Sequence, residues 1–141
     1  MASYNDTRIL EAFTNHLATA SLGGVPIAWP NVNYEPTTGT TFLKADWLPA
    51  QTTTATLGPT GVNRHRGIFQ VQAYVEVGRG SVAAMELLGQ VATRFAKGTS
   101  ITREGVTVLI DSPPYPAPRI IEGAWAIYTL TIPYQSDNIT P

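Results

Sequence analysis

Arg64-His65-Arg66-Gly67-Ile68-Phe69-Gln70-Val71-Gln72-Ala73-Tyr74-Val75-Glu76-Val77, with Gly78-Arg79-Gly80 and the segment from Ser81 to Lys97 behind it, is the stretch that decides the fold. Its first part alternates. Phe69, Val71, Ala73, Val75 and Val77 fall on one face and Gln70, Gln72, Tyr74 and Glu76 on the other, the period of a strand with one wet face. Its second part has a helical period, with Ala84, Leu88, Val91 and Phe95 in one stripe. Ser81 is placed to cap the helix N-terminus, Arg94 and Lys97 oppose the dipole at the other end, and Gly98 suits a left-handed cap. The reading is a long strand, a glycine hinge and a helix folded back onto the strand's apolar face.

Composition limits what can be built around that unit. A chain of 141 residues fits one domain spanning 1-141, and a domain near this size buries about 70% of its unfolded surface. Hydrophobic residues make up 43% and charged residues only 13%, with a formal net charge of -1. Such weak charge gives little protection against self-association, which points to outer surface covered by partners. The absence of cysteine excludes disulfides, thiolate catalysis and cysteine-ligated zinc. No basic region with an apolar core opens the sequence and no apolar run is long enough for a bilayer, so a soluble chain with no membrane partner is expected.

Working outward, Asp6 or Thr7 is expected to cap a first helix with Ile9, Leu10, Phe13 and Leu17 on one stripe, ending near Gly23-Gly24. Pro26 and Pro30 allow at most a short edge strand between them, with Trp29 as a core or interface anchor. Asn33 to Gly39 reads as a loop. Thr40 to Leu48 reads as a strand, with Leu43, Ala45 and Trp47 on one face and Phe42, Lys44 and Asp46 on the other. The threonine-rich run from Gln51 to Gly61 is either a strand, suited as an arm for a neighbour's sheet edge, or a solvated loop. After the central unit, Val106 to Ile110 is a strand, and four prolines between Pro113 and Pro118 make a stiff extended loop. Trp125 to Tyr134 closes the sheet and Ser136 to Pro141 is expected to fray. The predicted fold class is α+β, a mainly antiparallel mixed sheet with two helices packed on one face. Ile68, Tyr74, Phe42 and Leu109 then point the other way, as a patch for a partner.

No constellation for chemistry emerges. His16 and His65 have no companions with metal-ligand spacing, and Ser81 lacks the glycine pattern of a nucleophile elbow. Gly-Arg-Gly-Ser before a helix resembles a phosphate cradle only faintly, without the lysine of a P-loop. Arg64, Arg66 and Arg79 are candidates for a small basic patch touching DNA, on a chain that otherwise lacks a nucleic-acid footprint.

Ile27-Ala28-Trp29-Pro30-Asn31, Leu48-Pro49-Ala50, Arg66-Gly67-Ile68-Phe69-Gln70-Val71, the Gly78 to Gly80 turn into a helix ending at Phe95, and Ile132-Pro133-Tyr134 together resemble the tail-terminator-like proteins of long-tailed bacteriophages. The likeness covers nearly the whole chain in the same order. It implies a non-enzymatic virion protein without cofactors, forming a homohexameric ring at the head-proximal end of the tail tube. Such a ring stops tube growth, meets the major tail tube protein and a head-completion or connector protein, and passes double-stranded DNA through its lumen; assembly would take place in the host cytoplasm. Candidate interface or lumen residues are Gln70, Gln72, Tyr74, Arg64, Arg66, Arg79, Thr53, Thr54, Pro114 and Tyr115. Rival readings are another head-tail connector or minor tail component, and a small ligand-binding domain or enzyme, for which no convergent polar residues are found.

Overall fold

The molecule is built on two strands of equal length. β4 (Val62–Glu76) and β9 (Trp125–Ile139) pair antiparallel over all fifteen residues, from Val62 opposite Ile139 to Glu76 opposite Trp125. The structure is a computed structural model that describes residues 5–20, 22–29, 32, 35, 40–58, 61–78 and 80–139. Around the central pair lie β2 (Phe42–Pro49) on one side, and on the other a hairpin of β5 (Ser100–Arg103) and β6 (Val106–Leu109). β1 (Ile27–Ala28) runs parallel to β2, so the sheet order is β1-β2-β4-β9-β6-β5. Three short strands complete it: β3 (Thr53–Thr54) beside β4, then β7 (Tyr115–Pro116) and β8 (Ile120–Glu122) beside β9. With α1 (Asn5–Ala18) and α2 (Val82–Arg94), this is an α+β fold with a mostly antiparallel mixed sheet.

Both helices bury their stripes on one sheet face. Ile9, Phe13 and Leu17 of α1 are fully buried, as are Ala84, Leu88 and Val91 of α2 and Phe95 just after it. They meet Leu43, Ala45, Phe69, Val71, Ala73, Val75, Leu130, Ile132 and Tyr134 from the sheet. At the centre the Phe69 ring is stacked between Phe13 at 4.3 Å and Tyr134 at 4.4 Å, with Phe95 tilted against it at 6.5 Å. Offset aromatic pairs of this kind add to area burial. The Tyr134 hydroxyl accepts a 2.8 Å hydrogen bond from Trp47 Nε1, which satisfies both polar tips at the core's rim. Glu11 joins Arg8 to Arg103 at 3.4 Å and Arg8 meets Glu104 at 3.2 Å, tying α1 to the β5–β6 hairpin.

Several boundaries differ from the sequence reading, each for a physical reason. The tail does not fray at Ser136: β9 continues to Ile139 because β4 offers a partner to every residue, and Ser136 is buried, its hydroxyl donating to the Thr107 carbonyl at 2.6 Å. Val77 is not on the helix-facing stripe. β4 ends at Glu76 and Val77 is 48% exposed, its N–H bonded to the Ala124 carbonyl. Asp6 and Thr7 lie inside α1, which starts at Asn5. Ser81 holds the N-cap position without a side-chain cap bond; its Oγ lies 2.6 Å from the Tyr128 hydroxyl, so it fastens the helix start to β9 instead. Of the proline-rich loop, Tyr115–Pro116 pairs β9 as an edge strand, where the missing proline N–H faces no ladder partner. The expected loop at 33–39 lies outside the described residues apart from Glu35.

Candidate functional site

The sheet face away from the helices is ordered by the register. One cross-strand row reads Asp46, Gln70, Thr131, Tyr115; the next reads Lys44, Gln72, Thr129. Gln72 Nε2 donates to Thr129 Oγ1 at 3.3 Å, and Thr129 and Thr131 are buried between their neighbours. The middle of this face is thus a lattice of amides and hydroxyls with one acid and one base at its β2 margin. Toward one end stands an aromatic group: Phe42 stacked on Tyr74 at 4.7 Å, with Trp125 edge-on to Phe42 at 5.3 Å. Its members come from three strands, which is why sequence order hides it.

At the opposite end Arg64 and Arg66 face the same way. Arg64 grips Asp137 with two bonds of 2.9 and 3.2 Å, and Arg66 donates to Gln135 Oε1 at 3.1 Å. The Arg64 hydrogen bonds hold the Asp137 carboxyl below its usual range. A phosphate approaching Arg64 must compete with that carboxylate, which weakens this end as a DNA grip. Arg79 lies outside the described residues; its neighbour Gly78 follows the far end of β4, and Arg66 and Glu76 are about 33 Å apart along the strand. Arg64 and Arg66 are the described members of the expected basic patch, together at this end of β4.

The structure brings Gln70, Gln72, Tyr74 and Tyr115 onto one surface, with Pro114 beside it and Thr53 paired to Arg64 at its end. Sequence reasoning missed the strongest exposed apolar features. Leu57 is 93% exposed at the tip of the threonine arm, and Val82, Met85, Ile120 and Ile121 also stand in solvent. A lone leucine in an uncharged threonine run, and apolar residues off the buried stripe of α2, were the available signals.

A cleft opens between the ends of α1 and α2. The cleft lined by His16, Leu22, Gln90, Thr93, Arg94 and Thr99 has its main polar groups bound to one another. His16 Nε2 lies 2.8 Å from the Arg94 carbonyl, Arg94 Nε donates to the His16 carbonyl at 3.1 Å, and Arg94 also reaches Thr19. Burial pushes the His16 pKa down, so the neutral ring donates to that carbonyl. Among the described residues no group of three or more His, Cys, Asp or Glu could hold a metal, and no helix is long and apolar enough to cross a membrane.

An α+β domain whose outward features are a neutral sheet face, a polar arm with an apolar tip and a low-charge helix face has the surfaces of an assembly protein. Residues 8–134 match the family of phage tail terminator proteins, and the chain belongs to that family. A solved structure shares the fold over 99% of both chains, with a TM-score of 0.77 at 22% identity. Among curated proteins the sequence has no significant match. The family is one of phage tail structural proteins, which places this chain among virion components.

Proposed function

We propose that the protein forms a ring of six at the head-proximal end of the tail tube, ends tube polymerisation and presents the joining surface to a head-completion protein. The observation that carries this reading is the family match across residues 8–134, nearly the whole domain. The surface supports it: the amide and hydroxyl lattice around Gln70, Gln72, Thr129 and Thr131 can line a passage for double-stranded DNA without trapping phosphates, since its charges lie at the margin and at a neutralised end. A heterologous contact that closes on itself gives a ring and prevents filament growth. Native mass spectrometry at high protein concentration is expected to show about 91 kDa, six chains of 15.2 kDa each, and labelled protein should sit at one end of isolated tails. A strict monomer with no label at tail ends overturns the reading. Label at the neck without tube-length defects in a deletion phage would favour a connector instead.

A further inference from the structure

No charged residue occurs from Trp47 to Asn63. Within that run β3 pairs the start of β4, and the turn beyond it is tightly bonded. Ala55 and Thr56 N–H both donate to the Val62 carbonyl, at 2.9 and 3.0 Å, Val62 N–H donates to Thr56 Oγ1 at 2.5 Å, and Gly61 N–H to the Gly58 carbonyl at 3.0 Å. Gly58 has φ +99°, and a Cβ on Gly61 would strike the carbonyl oxygens of Thr56 and Leu57. These bonds anchor both sides of the turn, and between them Leu57 is held out, at 93% the most exposed of the large apolar side chains described. A leucine so placed contributes nothing to its own core.

The same chain carries an apolar surface with no cover. The outward positions of α2 include Val82, Ala83, Met85, Gly89, Gln90 and Thr93, with one charge among them, Glu86. A solvent-facing helix side normally carries its charges there. Val82 and Met85 are 72% and 41% exposed and stand one turn apart, and nothing lies within 4 Å of where a Gly89 side chain would begin. Two raised apolar residues followed by an open dip can seat one leucine.

Arm and helix face cannot meet within one molecule. Ser81, at the start of α2, is bonded to Tyr128, which pairs with Ala73, and Phe95, past the helix's other end, packs on Phe69, itself still seven residues or about 23 Å along β4 from Val62, beyond which the arm turn lies. We propose that Leu57 of one copy docks on the Val82-Met85-Gly89 face of α2 in a second copy of this chain. Neutral meets nearly neutral, so no ion pair has to be desolvated, and an arm without cations has nothing for a nucleic acid. Since the contact joins two different patches, each copy can give an arm and receive one, which is a heterologous contact. The inference deepens the ring reading and rests on it for the count of six.

The cysteine-free sequence makes the test clean. In the double variant L57C/M85C, air oxidation with copper phenanthroline should join two thiols of different molecules as a disulfide. The expected product on a non-reducing gel is a ladder that runs past the dimer toward six chains, while L57C/T102C gives none. No ladder, a product that stops at dimers, or an equal ladder from L57C/T102C overturns the docking. Native mass of the wild-type protein is read beside it: a six-chain mass without the ladder removes the arm contact and keeps the ring, and a ladder without a six-chain species removes the ring and keeps the contact.

Discussion

Gly67 shows how a residue that looks permissive can be a steric requirement. A Cβ at this position would lie 2.6 Å from the Leu48 carbonyl oxygen, 2.8 Å from Pro49 Cα and 2.8 Å from the Tyr134 hydroxyl, and two of these three are backbone. Gly67→Ala is therefore expected to cost about 1 to 3 kcal/mol in a denaturant titration, an overpacking effect. Phe69→Ala, which opens a hole between the stacked rings of Phe13 and Tyr134, should cost about 3 to 5 kcal/mol. On the opposite face the register separates two amides that looked equivalent. Gln72 stands opposite Lys44, so Gln72→Glu should change stability by under about 0.5 kcal/mol, whereas Gln70 stands opposite Asp46 and Gln70→Glu should destabilise by up to about 1 kcal/mol. If Gln72→Glu unfolds the domain as Phe69→Ala does, the assignment of the two faces is wrong. His16 adds a pH dependence. Its pKa is lowered in the folded state, so the unfolded chain binds the proton more readily; the stability this group contributes is present above about pH 6.5 and is lost as pH falls through the folded-state pKa. Thermal melts at pH 7.5 and 5.5 should differ less in His16→Gln than in the wild type.

At the scale of elements, the threonine arm and the proline segment part company. The arm's residues from Thr53 to Gly58 are exposed, and it joins the sheet through the pairing of Thr53 and Thr54 and the bonds of Ala55 and Thr56 to Val62, so replacing 53–61 by a short glycine linker should leave the melting temperature within a few degrees while assembly is lost. The proline segment, which reads in sequence as a stiff extended loop, is tied in more closely: Tyr115–Pro116 pairs β9, and Ala117 N–H bonds the Thr129 carbonyl at 2.9 Å. Deleting 113–118 uncovers that edge and should lower stability measurably on its own; equal melting temperatures for the two deletions would contradict this difference. The central strand and both helices were legible because their apolar periods are long and unbroken. The β5 strand was not, since Ile101 is the one buried residue among Ser100, Thr102 and Arg103. Its signal was the Glu104-Gly105 turn, where both residues adopt positive φ, 47° and 82°, the twist a two-residue hairpin needs. The polar end of β9 was unreadable for a different reason: Ser136 and Asp137 are held by Thr107 and Arg64, distant partners that no local pattern announces. The outer face was legible as a face, yet its rows across strands were not, because Tyr115 reaches Gln70's row only through the register of β7 on β9.

For the whole molecule, weak charge decides how the proposed ring should respond to solution conditions. The chain has nine Lys and Arg against ten Asp and Glu, and several of the described ones, Arg64 with Asp137, Arg8 with Glu11 and Glu104, and Arg103 with Glu11, are already paired within the monomer. If subunits are held by Leu57 and the apolar face of α2, little Coulomb energy is at stake between them, and the Debye length, shrinking to about 3 Å at 1 M salt, removes little. Burial of apolar surface is strengthened by excluded salts such as sulfate. Assembly followed by sedimentation should thus persist from 0.05 to about 1 M sodium chloride and shift toward the larger species in sulfate at equal ionic strength. The Arg64–Asp137 pair supplies the contrast, since its two side chains are about one-third exposed and sit beside the arm. Breaking it with Asp137→Asn frees Arg64 to meet DNA, so this variant should gain salt-sensitive DNA retention without losing the oligomer. Dissociation of the wild-type species by salt alone would instead mean that charges join the subunits, and would shift the contact from Leu57 to charged side chains such as Arg64 and Arg66.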